Sequence, residues 1–152
     1  METSTFLGME NRVLLTGKET EMTAGVIEIS IQPGAGVPPH TNTREDLLWY
    51  VIDGTLTFQT DKGSTEVAEG SARFLPKGST HTFMNGSSSP VRALLVCVPG
   101  GFEGFLLELS GKLPAGLPAG PPPAEAIEMM VRTGERYGTI IHQSENPASM
   151  RA

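Results

Sequence analysis

GSARFLPKGSTHTFMN, residues 70–85, reads as strand, turn, strand. Ala72, Phe74 and Leu75 lead into Pro76-Lys77-Gly78-Ser79. Proline fixes φ there, and glycine supplies the freedom that a tight turn needs. Side chains alternate between the faces of an extended chain, so His81, Phe83 and Asn85 share one face of the second strand. A histidine just after a turn, sharing a face with an aromatic, points into whatever the strand helps enclose.

Upstream, residues 33–39 form a Pro/Gly loop that delivers His40. Residues 46–52 (DLLWYVI) and 55–60 (TLTFQT) flank Asp53-Gly54, a strong hairpin signal. Leu47, Trp49 and Val51 share parity on the first of these strands. Residues 25–32 (GVIEISIQ) alternate cleanly, with Ile27, Ile29 and Ile31 on one face. Residues 91–98 (VRALLVCV) are nearly all apolar and predict a central buried strand. Shorter strands are expected at 12–16 and 64–68, with an arm or edge strand over 1–12 and a polar loop over 18–23. Strands and turns at such short intervals imply an antiparallel sandwich or barrel, an all-β fold.

The composition changes after Pro99. Residues 101–109 (GFEGFLLEL) suit a short helix with Phe102, Phe105, Leu106 and Leu109 on one side. A Pro/Gly-rich linker over 113–123 precedes an amphipathic helix, AEAIEMMVRTGERYG. Proline stands at its first turn, glutamates lie early, and Gly134 is the expected end. Ile127, Met130 and Val131 are its expected apolar stripe. Residues 137–142 suit a last strand or turn, and 143–152 a polar, mobile tail. The expected organisation is a β-barrel over 1–100 and a helical extension over 101–152 that packs on the same domain.

Bulk properties narrow the function. The 152 residues carry 11 basic and 17 acidic side chains, a net charge of −6 without a basic cluster. Nucleic acid and anionic membrane are therefore not expected partners. No apolar run approaches the roughly 20 residues of a membrane span, and METSTFLGMENR has no signal-peptide pattern. The single cysteine, Cys97, lies in LLVCVP and is expected to be a buried core residue. These features agree with a cytoplasmic setting.

Residues 70–85 resemble in full the second signature motif of the cupins, small double-sheet jelly-roll barrels. PGAGVPPHTNTREDLLWYVIDG, residues 33–54, resembles their first motif in part, keeping Gly34, His40 and Gly54. The resemblance implies a cupin double-stranded β-helix. It also implies four metal-ligand positions, usually three histidines and a glutamate; here they hold His40, Asn42, Leu47 and His81. Imidazole and carboxylate suit divalent transition ions, but only two such donors survive. Glu45 and Asp46 are near, yet Asp46 has the opposite parity to Leu47. No tight metal site is expected. Cupin habit also implies a homodimer, through pairing of edge strands.

The expected site is therefore a pocket for a small molecule. His40 and His81 are the candidate proton-transfer residues. Asn42, Leu47, Trp49, Val51, Phe58 and Phe83 are the candidate substrate contacts, apolar walls with few polar anchors. The blander reading makes His40 and His81 hydrogen-bonded core histidines and Val51, Leu56 and Phe58 plain core. His142 is read as a surface residue, and Cys97 as a poor nucleophile. Three functions follow. The first is a metal-independent isomerase, cyclase or dehydratase acting on an aromatic or polyketide-like metabolite. The second, from the resemblance of both motifs and of PGGFEGFLLEL to quercetin-cleaving cupins, is a metal-dependent dioxygenase. The third is a binding module without turnover.

Overall fold

The computed structural model describes residues 2–118 and 120–142; the expected mobile tail, 143–152, lies outside the described residues. In chain order the elements are β1 (Glu2–Phe6), β2 (Met9–Leu15), β3 (Gly25–Ile31), β4 (His40–Asn42), β5 (Asp46–Asp53) and β6 (Thr55–Thr60). They continue with β7 (Gly63–Ala68), β8 (Ala72–Leu75), β9 (Thr80–Met84), β10 (Val91–Val98), α1 (Phe102–Glu108), α2 (Ala124–Tyr137) and β11 (Thr139–Ile141).

The strands form two antiparallel sheets, ordered β1-β2-β3-β10-β5-β8 and β11-β4-β9-β6-β7. Alternation explains how they meet. β3 turns Ile27, Ile29 and Ile31 inward, and β5 turns Leu47, Trp49 and Val51 inward. β6 and β9 answer from the second sheet with Leu56, Phe58 and Phe83. Trp49 lies edge-on to Phe58 at 5.4 Å between ring centroids and 5.0 Å from Phe83. That cluster joins the sheets across the middle of the core. Each such buried side chain contributes about 1.5–3 kcal/mol, and each aromatic pair about 0.5–1.5 kcal/mol more.

Three expectations need correction. Residues 2–15 form a hairpin, β1 with β2: β1 is the edge strand that the sequence allowed, but β2 begins at Met9 rather than at residue 12. Its turn, Leu7-Gly8, is held by amides that donate to Pro114 and Ala115 of the linker, a contact distant in sequence. Second, α2 does not stop at Gly134. It runs to Tyr137 and closes on Gly138, whose φ of 71° is the left-handed cap that glycine adopts most readily. Gly134 is needed for proximity instead, since a Cβ there would sit 2.3 Å from the Thr139 carbonyl oxygen. Third, α2 buries Ala126, Met130, Thr133 and Gly134, whereas Ile127 and Val131 are only half-buried. The tight α2–β11 junction sets which face turns inward, and it moves the buried stripe off the most apolar side.

The C-terminal segment completes the second sheet. β11 pairs with β4 residue by residue, Thr139 with Asn42, Ile140 with Thr41 and Ile141 with His40. α1 and α2 pack beside the inner faces through Phe102, Phe105, Leu106 and Met130. Phe105 stacks on Phe102 at 5.4 Å and meets Tyr137 edge-on at 6.2 Å. The segment is fastened at its start by Glu103, a buried carboxylate that accepts the amides of Gly17 (2.6 Å) and Gly101 (2.8 Å).

Candidate functional site

The turn that opens the sequence argument is also what aims His81. The Ser79 amide donates to the Pro76 carbonyl at 3.1 Å, and the Gly78 amide donates to the Asn42 carbonyl at 2.9 Å. The Lys77 amide donates to Asp46 Oδ1 at 2.9 Å. Asp46 therefore serves the outside of the turn, as its parity required. With the turn docked on β4, β9 starts in register and His81 pairs directly with His40. The two rings lie 4.3 Å apart between centroids, tilted by 57°.

Each ring is oriented by a carbonyl close by in sequence. His40 Nδ1 lies 3.1 Å from the Pro38 oxygen, and His81 Nδ1 lies 3.3 Å from the Ser79 oxygen. A carbonyl only accepts, so both Nδ1 atoms carry the proton and both Nε2 atoms keep a lone pair. Burial pushes His40 down to about 3, with help from neighbouring His81. Burial pushes His81 down to about 4, with the Arg73 cation acting the same way and the Ser79 carbonyl opposing. Both imidazoles are neutral at pH 7. Each is an acceptor there and a weak base, not the proton donor that the sequence left open.

A small cavity of about 50 Å³ lies between the two sheets and the C-terminal helices. Its walls include Leu47 and Trp49 from β5, Phe83 from β9 and His40 from β4. Phe102, Phe105 and Met130 close it from the helical side, and Asn11 enters from β2. Asn42, Val51, Phe58 and His81, also expected at the pocket, do not line it. Val51 and Phe58 are 0 % exposed and belong to the packed core. His81 meets the pocket only through His40. Among the described residues no Lys, Arg, Asp or Glu borders the cavity, so none of them offers a charge to hold a phosphate or a carboxylate there.

Six buried polar side-chain atoms have no partner among the described residues, and of their residues only Trp49 lines the cavity. They are both amide atoms of Asn42, Glu45 Oε1, Trp49 Nε1, His81 Nε2 and Thr139 Oγ1. Buried polar groups in folded proteins are nearly always paired, so this set offers hydrogen bonds to water or to a guest. Glu45 is only 2 % exposed. Burial raises its carboxyl to about 7, against the Asn42 amide and the Arg44 cation beside it. The Asn42 amide touches it without a hydrogen bond of normal geometry. Burial and the nearby Glu45 and Glu103 carboxylates push the Cys97 thiol well above its ordinary value, which leaves it unreactive.

Residues 27–97 match the Cupin domain family. The two-sheet sandwich over this segment has the cupin fold. The tetracenomycin polyketide synthase protein TcmJ of Streptomyces glaucescens is 27 % identical over 93 residues, which are 60 % of this chain and 62 % of that protein. This chain therefore matches a little under two thirds of that relative's length. The polyketide cyclase RemF of Streptomyces resistomycificus superposes with a TM-score of 0.55 at 23 % identity, covering 64 % of this chain and 70 % of that one. A sugar phosphate isomerase of the cupin superfamily, SPO2919 of Silicibacter pomeroyi, gives 0.54 at 24 %, covering 62 % and 61 %. At these identities the two structures establish the fold alone.

The cupin fold implies a divalent metal, and the side chains here do not fit one. The four ligand positions hold two imidazoles, one neutral carboxamide and the hydrocarbon of Leu47. Among the described residues, no three His, Cys, Asp or Glu side chains come together as a metal-holding group. A tightly held transition ion needs three or four imidazole, thiolate or carboxylate donors.

The fold also uses residues that alternation does not reveal. His142, expected at the surface, is half-buried and its Nε2 lies 2.8 Å from Thr41 Oγ1, which in turn lies 2.6 Å from Thr80 Oγ1. The cause is the β11–β4 ladder, which carries His142 onto the β4–β9 seam. Asn11 was missed as well, and Glu45 was weighed only as a stand-in ligand, not as a buried carboxyl. Each sits in a locally polar stretch, and only the packing of distant segments buries it.

Proposed function

We propose that this chain is a metal-independent enzyme of the cyclase or isomerase type, acting on an aromatic or polyketide-like metabolite. One observation carries the reading: an apolar cavity, with no charged side chain lining it among the described residues, is walled by the neutral imidazole of His40 beside an indole and a phenyl ring. Such a wall orients a ring-forming apolar chain by shape, and the imidazole lone pair accepts an enolic or phenolic hydrogen. Trp49 Nε1–H, buried without a partner, is a donor for a carbonyl on the same guest. The likeness to a protein of the tetracenomycin polyketide synthase supports the substrate class. The absence of a bordering cation disfavours sugar phosphates and small carboxylates, the latter bound poorly where no charge offsets theirs.

The depressed basicity of His40 favours a second reading, a binding module without turnover. One experiment separates the two. The protein is added to a polyketide synthase that releases a reactive poly-β-ketone, and the ring pattern of the products is resolved by mass spectrometry and NMR. A product distribution redirected by the wild type and not by His40→Ala supports catalysis. Product unchanged by excess protein, with the protein stabilised against heat by the aromatic product, supports the binding module. Product unchanged and no stabilisation removes both.

A further inference from the structure

One polar side chain on the cavity wall carries more hydrogen-bonding capacity than the fold takes up. β2 turns Met9, Asn11 and Val13 inward, so Asn11 interrupts an apolar alternation at a position only 2 % exposed. Its cross-strand neighbours are Ser4 on β1 and Ile29 on β3. Asn11, with Met9 and Ile29 around it, lines the cavity. Its Nδ2 donates to the Ser4 carbonyl at 3.2 Å. A carbonyl only accepts, so this bond fixes which end of the planar carboxamide faces β1 and turns Oδ1 the other way. The Ser4 hydroxyl is spent on the Leu106 carbonyl, at 2.6 Å, and among the described residues none donates to Asn11 Oδ1. The fold does not need an amide here to join β1 to β2, since the two strands already pair over five positions. A hydrocarbon would avoid the cost of burying a half-used carboxamide.

We propose that Asn11 is a specificity-determining residue of this cavity: its Oδ1 accepts the hydrogen of a hydroxyl on the guest, so the site takes hydroxylated rings in preference to the bare hydrocarbon. The inference rests on the reading of the cavity as a site for an aromatic or enolic guest. No described lining residue is Lys or Arg, so nothing there favours a phenolate, and the hydroxyl is bound neutral, as a donor. Asn11 comes from the six-stranded sheet and His40 from the five-stranded one, so a ring lying between them is read from both sides. Selection works twice over. A hydroxylated guest gains a bond, and a guest without the hydroxyl shuts Oδ1 away unpaired.

The test uses phenol and benzene, which differ by one hydroxyl. The chain has one tryptophan, and Trp49 lines the cavity, so its indole N–H resonance reports a probe inside it. Titration of the full chain at that resonance gives a Kd for each probe. The wild type should bind phenol at least as tightly as benzene. Asn11→Val should move the ratio of the two Kd values toward benzene by about tenfold or more, as expected for one lost partner of a buried polar group. The ratio is the readout because a change in cavity volume acts on both probes alike. Asn11→Ala repeats the comparison with a smaller side chain, should valine disturb the fold seen by circular dichroism. A wild type that favours benzene tenfold, or a ratio that both variants leave unchanged, overturns the role of Asn11 and leaves the cavity reading standing. A Trp49 resonance that neither probe moves in the wild type overturns the cavity reading, and this inference with it.

Discussion

Acidification below pH 6.5 should weaken the fold at a rate set by the paired imidazoles. An imidazole in the unfolded chain titrates near 6.5, whereas His40 and His81 are held at about 3 and about 4 by burial. Between pH 6.5 and 4 the unfolded chain therefore binds two protons that the folded chain refuses. One proton of difference is worth about 1.36 kcal/mol per pH unit, so the pair removes up to about 2.7 kcal/mol for each unit. Glu45 works in the other direction. Its carboxyl is raised to about 7, so the folded chain keeps a proton that the unfolded chain releases, and this group alone makes stability fall as pH rises from about 4.5 to 7. Stability should then climb from pH 4.5 to about 6.5 by roughly 1.4 kcal/mol per unit, the balance of two protons against one, and dip slightly up to pH 7. A domain of ordinary stability, about 5–15 kcal/mol, loses about 3 kcal/mol of it by pH 4.5. Urea unfolding followed by circular dichroism, at fixed ionic strength and with chelator present, measures the slope. His81→Gln should reduce it by about 1.4 kcal/mol per unit. Equal stability at pH 5 and 6.5, or imidazole NMR titrations centred near 6.5, would refute the burial argument.

Other expectations are more local. Trp49→Phe removes an indole N–H that has no partner in the protein, so relief of about 1–3 kcal/mol should offset most of the lost packing and leave stability within about 1 kcal/mol of wild type; a loss of 3 kcal/mol or more would mean the N–H is bonded. Trp49→Ala, by contrast, should cost about 3–5 kcal/mol in denaturant unfolding, because it also abandons the contacts to Phe58 and Phe83. Gly134→Ala should lower the melting temperature although alanine is the better helix former by about 1 kcal/mol; a stabilised variant would show that α2 and β11 do not approach as closely as described. Leu47→Glu combined with Asn42→His supplies the donors that the cupin ligand positions lack, so added Zn(II) should raise the melting temperature of that variant and leave the wild type unmoved. A wild type that loses stability on chelation would contradict the donor argument.

The strands were legible because this fold is built from alternation and turns, and both are local; their order in the sheets was not. His81 and Phe83 share a face because period two requires it, and the Pro76–Ser79 turn fixes where that face begins. What local pattern does not contain is contact between distant segments. Residues 137–142 read as a last strand or turn, but no local pattern says that the strand lies beside β4 or brings His142 to Thr41. Gly134 looks like a helix stop; its purpose is visible only once Thr139 lies against it. The pocket shows the same limit. Parity correctly places Leu47, Trp49 and Phe83 inside, but it cannot say which inward residues pack solidly and which leave a gap. Val51 and Phe58 pack, while the gap opens toward Phe102 and Phe105, beyond the reach of any motif.

These long-range contacts bear directly on how a guest would enter. A cavity of about 50 Å³ holds a few waters, since about 10–15 Å³ admits one, and ligand sites are commonly several times larger. Two of its walls are hydrogen-bonded sheets joined through the Trp49, Phe58 and Phe83 cluster, and these yield little. The third is the helical segment, held at its start by Glu103 and at its end by three ladder residues and His142. α1 is thus anchored by buried hydrogen bonds to β3's neighbourhood, whereas α2 depends on the Pro/Gly-rich linker before it and on β11 after it. Enlargement of the pocket therefore falls to α2. Because β11 pairs with His40 and Asn42 themselves, outward movement of α2 strains the same ladder that orients the His40 ring. Guest entry and imidazole placement are coupled through β4, and weakening the Thr41–His142 contact should ease the first at the expense of the second.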